Sequence, residues 1–66
     1  MELKQLEFFV TTAEIGSLNQ AAEILYTSQS NVSKVIRALE KEMGFELFVR
    51  NSKGVVLTER GDELLE

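Results

Sequence analysis

The sequence predicts a mainly α-helical domain that carries one β-hairpin and then begins another helix. Apolar residues recur at three- and four-residue steps through most of residues 3–43, which is the period of amphipathic helices. Two short runs rich in β-forming residues, 47–50 and 55–58, flank a turn at 51–54 that contains glycine. The chain has 66 residues, no proline and four glycines, which favours a single small domain with short connections.

The first helix is predicted from an apolar stripe made of Leu3, Leu6, Phe9, Val10 and Ala13. Gly16 follows as a natural left-handed cap and ends the helix. The four phenylalanines, Phe8, Phe9, Phe45 and Phe48, are assigned to the core. Phe8 lies beside the stripe and is the one that could instead join a partner surface.

A second and a third helix are predicted to be joined by a tight polar turn. Ser17, followed three residues later by Gln20, is a capping-box pattern that begins the second helix. Ser28 is a good N-cap for the third helix, which ends at Gly44. The predicted buried faces consist of Leu18, Ala21, Ala22 and Leu25 in the second helix, and of Val32, Ile36, Leu39 and Met43 in the third.

The region after the hairpin is predicted to begin a fourth helix that is capped by Thr58. Its first turns carry Glu59, Asp62 and Glu63, whose charges suit the positive end of the helix dipole. Three helices, a two-stranded hairpin and the start of a fourth helix form a winged helix-turn-helix. We therefore assign residues 1–58 to that domain and residues 59–66 to a truncated helix.

The charge distribution is uneven, although the total of −4 is unfavourable for binding to nucleic acid. Residues 1–33 contain one cation and four carboxylates, and residues 54–66 contain one cation and four carboxylates. Residues 34–53 contain five cations and three carboxylates, so five of the seven cations lie within twenty residues. A local basic surface is therefore compatible with an acidic total.

The composition argues against catalysis and against a bound metal. The chain has no cysteine and no histidine, so the commonest nucleophile–base pairs and metal ligands are missing. The acidic residues near the C-terminus are better explained by the helix dipole than by a metal cluster. We expect no enzyme activity and no cofactor. No apolar run reaches transmembrane length and no signal peptide is recognisable, which favours the cytoplasm.

The polar face of the third helix is the candidate functional site. Amide, hydroxyl and ammonium groups at the start of a helix can read base edges in the major groove, and here they are supplied by Gln29, Ser30, Ser33 and Lys34. Candidate contacts to the DNA backbone are Ser17, Asn19, Arg37, Arg50 and Lys53. A capped and solvated helix start also explains the first set. Helix capping alone explains Ser17, and Arg50 can instead tie the hairpin to Glu40 or to a helix end.

An ordered set of residues over almost the whole chain resembles the N-terminal DNA-binding domain of LysR-type transcriptional regulators. The matching positions are Leu6, Phe9, Gly16, Ser17, Ala21, Ala22, Leu25, Ser28, Gln29, Ser33, Ile36, Leu39, Glu40, Gly44, Leu47, Phe48, Arg50, Leu57, Thr58 and Gly61. Ser30 departs from the family, which usually has proline there, and Asn31 can add a polar contact where the family often has a small apolar residue. Lys34 and Lys53 stand where arginine is common, and lysine lacks the bidentate fork of arginine.

The resemblance implies sequence-specific binding of double-stranded DNA. The third helix would enter the major groove, and the hairpin would lie on the backbone or in the minor groove as a wing. Family members usually continue through a linker helix that pairs two subunits into a ligand-sensing domain. The resemblance thus implies a domain fragment that self-associates weakly, a homodimer or higher homo-oligomer in the full-length protein, and a small-molecule effector bound only by the missing domain.

A second hypothesis is a winged-helix module that binds another protein and not DNA. The acidic total disfavours DNA, and Leu64, Leu65 and Phe8 would then form the docking strip.

Overall fold

The computed structural model describes residues 2–52 and 54–65, and its element order confirms the predicted fold class. The elements are α1 (Leu3–Ile15), α2 (Leu18–Ile24), α3 (Gln29–Met43), β1 (Phe48–Asn51), β2 (Gly54–Leu57) and α4 (Glu59–Leu65). Both strands lie one residue closer to the turn than predicted. Leu47 falls outside β1 because a side chain, and not the opposite strand, accepts its backbone N–H.

The predicted helix caps are confirmed by hydrogen bonds. The hydroxyl of Ser17 accepts from the backbone N–H of Gln20 at 3.2 Å, and the hydroxyl of Ser28 accepts from the backbone N–H of Asn31 at 3.1 Å. Gly16 ends α1 in the left-handed conformation, with φ at 71°. These caps place the starts of α2 and α3 as predicted, because each satisfies backbone groups that a helix end leaves without partners.

The core is formed where α1, α2, α3 and the hairpin meet, and it corrects one prediction for α1, the place of Leu3 in the buried stripe. Phe8 is only 5% exposed, so its assignment to the core is confirmed and the partner surface is excluded. Leu3 is 82% exposed and lies outside the core. The buried face of α1 is wider than the predicted stripe because α1 packs against both α2 and α3. This face also includes Thr12, whose hydroxyl donates to the carbonyl of Phe8 at 2.7 Å.

The predicted core faces of α2 and α3 are otherwise confirmed. Their buried members are Leu18, Ala21, Ala22, Val32, Ile36 and Leu39, and Leu25 and Met43 pack against them half-buried. Leu47 and Val55 complete the core from the hairpin side. The docking strip of the second hypothesis is wrong, because Phe8 is buried and Leu64 packs against the core.

The antiparallel hairpin is seated on the turn between α1 and α2. In its register Phe48 faces Leu57, and Asn51 faces Gly54. The backbone N–H of Val55 donates to the carbonyl of Gly16 at 3.1 Å. A side chain at position 54 would place its Cβ 2.3 Å from the same carbonyl oxygen, and φ there is 140°. Glycine is therefore required at position 54 for the hairpin to approach the helices.

A carboxylate of α3 fixes the first residues of the hairpin. Oε2 of Glu40 accepts from the backbone N–H of Leu47 at 2.7 Å and from that of Phe48 at 3.3 Å. The ring of Phe48 lies 5.6 Å from the ring of Phe9, between centroids. The hairpin is thus held to α3 by polar bonds at its base and to α1 by an aromatic contact.

Thr58 caps α4, as predicted. Its hydroxyl accepts from the backbone N–H of Gly61 at 3.0 Å and donates to the carbonyl of Glu46 at 2.6 Å. Arg60 on the same helix lies over the ring of Phe45, 4.4 Å from its centroid. The start of α4 is therefore anchored to the residues that precede the hairpin.

Candidate nucleic-acid interface

The leading turns of α3 present one continuous polar surface. Gln29, Ser30, Lys34 and Arg37 are exposed, and Ser33 is half-buried. These five side chains line a single shallow depression. All four residues predicted to contact bases therefore lie together, joined by one of the residues predicted to contact the backbone.

A second depression continues from this surface to the start of α2 and to the hairpin. It contains three of the residues predicted to contact the DNA backbone, Ser17, Asn19 and Arg50. Gln29 lines both depressions, so the two surfaces share an edge. We call the union of the two depressions the α3–wing surface.

The hydroxyl of Ser17 can cap α2 and still donate a hydrogen bond at this surface. Its oxygen accepts the capping hydrogen bond from Gln20, and its hydroxyl proton remains able to donate to an anion. Capping and phosphate contact are therefore compatible for this residue. Asn19 is exposed two residues later, on the first turn of α2.

Arg50 ties the hairpin to α3 through a serine of the predicted base-contacting set. Its Nη2 donates to Oγ of Ser33 at 3.1 Å across 17 positions of sequence. The sequence hypothesis that Arg50 binds Glu40 is corrected, because the Glu40 carboxylate accepts from two backbone N–H groups. Arginine has five N–H donors, so Arg50 keeps donors for a further acceptor.

Arg37 borders a cleft between α3 and β1 in addition to the α3–wing surface. That cleft is also lined by Arg50 and by the carboxylates of Glu40 and Glu46. The carboxylates weaken the positive potential on this side of α3. The most favourable position for an anion is therefore nearer to the start of α3 than to its middle.

Lys53, the predicted backbone contact at the hairpin tip, lies outside the described residues. Asn31 is not among the residues that line the α3–wing surface. Its Nδ2 donates to Oγ1 of Thr27 at 2.9 Å within the turn before α3. Sequence reasoning missed the role of Glu40 as the residue that holds the base of the hairpin, since no motif links a helix carboxylate to backbone N–H groups seven residues later.

The described parts of the chain, residues 2–52 and 54–65, hold no group of three acidic, histidine or cysteine residues arranged to bind a metal ion. None of the helices described is long and apolar enough to cross a membrane.

Comparison with known proteins identifies the family. The family model for bacterial regulatory helix-turn-helix proteins of the lysR family matches residues 3–62. The chain is 41% identical over its full length to the HTH-type transcriptional regulator TfdT of Cupriavidus pinatubonensis, covering 29% of that protein. It is 42% identical over its full length to ClcR of Pseudomonas putida, covering 22% of that protein. The chain thus spans less than a third of the length of these curated relatives.

Solved structures give the same result. A crystal structure of a CbnR_DBD–DNA complex matches 98% of this chain and 75% of that chain, with a TM-score of 0.94 and 37% identity. OxyR of Corynebacterium glutamicum, in a C206S mutant bound to H2O2, matches 97% of this chain and 20% of that chain, with a TM-score of 0.93 and 39% identity. The chain belongs to the LysR family of bacterial regulatory helix-turn-helix proteins.

Proposed function

We propose that this chain is the operator-reading domain of a LysR-type transcriptional regulator and binds double-stranded DNA sequence-specifically. The observation that carries the proposal is the α3–wing surface, on which eight of the nine predicted contact residues meet. Solved relatives with the same fold include DNA complexes of the DNA-binding domains of CbnR and BenM. Helix α3 enters the major groove, and the hairpin acts as a wing on the backbone or in the minor groove.

The base contacts are made by the side chains of the leading turns of α3. Gln29 has the amide that pairs with adenine, and Lys34 donates to guanine. Ser30 and Ser33 supply hydroxyl groups, which pair with several base edges. All four residues line one depression, so they can reach the same stretch of groove.

The backbone contacts surround this reading surface. Arg37 lies on α3, Ser17 and Asn19 lie at the start of α2, and Arg50 lies on β1. Lys53 is included on the sequence alone. Each cation that neutralises a phosphate adds about 0.9 to the salt slope of binding. These contacts set the register of α3 in the groove and carry little sequence information themselves.

The whole protein is proposed to be a homodimer or a higher homo-oligomer. In this proposal residues 1–58 form the winged helix, and residues 59–66 begin the linker helix that pairs two subunits. An effector would bind to a separate domain, and the protein would act in the cytoplasm, where bacterial DNA lies. The proposed role is binding and not catalysis, because the chain has no histidine and no cysteine, the residues of the commonest nucleophile–base pairs.

A titration with mixed-sequence duplex DNA at low and at moderate salt tests the proposal. We expect salt-sensitive binding, with amide NMR shifts at the start of α3, at the start of α2 and in the hairpin. No binding at low salt, or amide shifts confined to α1 and α4, would overturn the proposal. Arg60→Met is a suitable control, since it removes a cation from α4 and leaves the α3–wing surface unchanged.

A further inference from the structure

The hydrogen bond between Arg50 and Ser33 joins a strand of the hairpin to the reading helix. Nη2 of Arg50 lies 3.1 Å from Oγ of Ser33. Ser33 is the half-buried member of the four residues proposed to read bases, and the other three are exposed. Its hydroxyl is therefore tied to a strand of the hairpin by a side-chain hydrogen bond.

The chemistry of the two groups determines what Ser33 presents to a ligand. A guanidinium group only donates hydrogen bonds, so Arg50 occupies one of the two lone pairs of the Ser33 oxygen, and its positive charge makes the other a weaker acceptor. The hydroxyl proton must then point away from Arg50, and the nearby positive charge makes that proton a stronger donor. A serine without such a partner can present either its proton or its lone pairs.

We propose that Arg50 is a specificity-determining residue that acts through Ser33, a proposal that rests on the proposed DNA-binding function. By holding the Ser33 hydroxyl as a donor, Arg50 directs it towards acceptor positions on base edges. These are N7 and O6 of guanine, N7 of adenine and O4 of thymine in the major groove. The amino groups of cytosine and adenine are disfavoured at the same position, because they are donors themselves.

Arg50 can make this contact and still bind the DNA backbone. Its unused N–H groups are available to a phosphate oxygen, which would give a chain of hydrogen bonds from phosphate through Arg50 and Ser33 to a base. The position of the wing on the backbone and the base read by α3 are then coupled. Arg50 is a positioning residue for the base contact, and its phosphate contact is a separate contribution.

The test measures base preference at one position of the site. Bound duplexes are first selected from a random duplex pool with the unmodified chain. The affinity ratio between the best and the worst base is then measured at each position for the unmodified chain, Arg50→Met, Ser33→Ala and the double variant. Methionine has a long flexible stem but no charge and no N–H donor. Arg60→Met makes the same change on α4 and is the matched control.

We expect Arg50→Met to lower the ratio about three- to tenfold at one position, the range for loss of one hydrogen bond. Ser33→Ala should lower the ratio at the same position by a similar factor, and the double variant should lower it no further than Ser33→Ala alone. Arg50→Lys, which keeps a donor-only cation, should restore most of the ratio. Arg60→Met should leave the ratio unchanged.

Two results would overturn the inference while leaving the proposed function intact. The first is an equal loss of affinity for all sequences in Arg50→Met, which would make Arg50 a phosphate contact only. The second is an effect of Arg50→Met on the ratio that persists in the Ser33→Ala background, which would mean that Arg50 itself contacts the base. Absence of any DNA binding by the unmodified chain would overturn both proposals. The ratio compares two affinities of the same variant, so a reduced folded fraction does not change it.

Discussion

At the scale of single residues, the proposed reading surface depends on side chains whose hydrogen-bonding capacity is already partly used. Ser17 caps α2, and Ser33 accepts from Arg50. Asn31, which has a similar polar character, is used inside the turn before α3. The residue types were visible in the sequence, but their remaining donors and acceptors depend on which neighbours each one meets.

Truncation of Lys34 is the best way to distinguish a direct base contact from non-specific attraction to the DNA backbone. On the preferred site, Lys34→Ala should weaken binding by about 1–3 kcal/mol, because a direct base contact is lost. Competition binding against the preferred duplex and a random duplex measures the effect. Lys41→Ala, which removes the same charge in the last turn of α3, is the control. Equal losses on both duplexes would show that Lys34 contacts only phosphate.

At the scale of elements, the position of the hairpin relative to α3 is the main property that local patterns do not predict. The turn residues and the β-forming runs predict a hairpin near its observed position. Its orientation, however, depends on the contacts of Glu40 with the first strand residues and of Val55 with Gly16. These partners are distant in sequence, so hydrophobic periodicity and secondary-structure propensity do not predict that they pair.

Glu40 provides a test of this attachment. Glu40→Ala should lower the free energy of unfolding by about 1–3 kcal/mol, because two backbone N–H groups lose their acceptor. Glu40→Gln should cost less, since its amide oxygen remains an acceptor. Urea unfolding gives the free energies, and hydrogen exchange at Leu47 and Phe48 shows whether the loss is local. Unchanged exchange at both amides in Glu40→Ala would contradict the assignment. Glu23→Ala, which removes an exposed carboxylate from α2, is the control.

At the scale of the whole molecule, an acidic chain can bind DNA because its charge is segregated. The total is −4, yet five of seven cations lie in residues 34–53, which include most of α3 and the first strand of the hairpin. The structure arranges Lys34, Arg37 and Arg50 around connected depressions. Repulsion between DNA and the remaining acidic surface should make the affinity of the isolated chain modest and strongly dependent on salt.

The isolated chain is expected to be a monomer at micromolar concentration. Of the two leucines in the described part of α4, Leu64 packs against the core of its own chain and Leu65 is exposed. A single exposed leucine is a small apolar area for a dimer seam. Sedimentation velocity measures the oligomeric state directly, and a tight dimer at micromolar concentration would contradict the expectation.

Fusion of the chain to a parallel coiled coil should increase DNA affinity, because two reading helices would then bind at high effective concentration.

The sequence by itself determined the order of the elements, the N-caps of α2, α3 and α4 and the polar face of α3, because period, capping and turn chemistry act over a few neighbouring positions. The resemblance of ordered residues along nearly the whole chain also pointed to the family. Only the tertiary structure decided that Phe8 is buried, that Glu40 holds the hairpin and that Arg50 binds Ser33. Each of these depends on contacts between elements, which are determined by how three helices and a hairpin pack and not by the local pattern of any one of them.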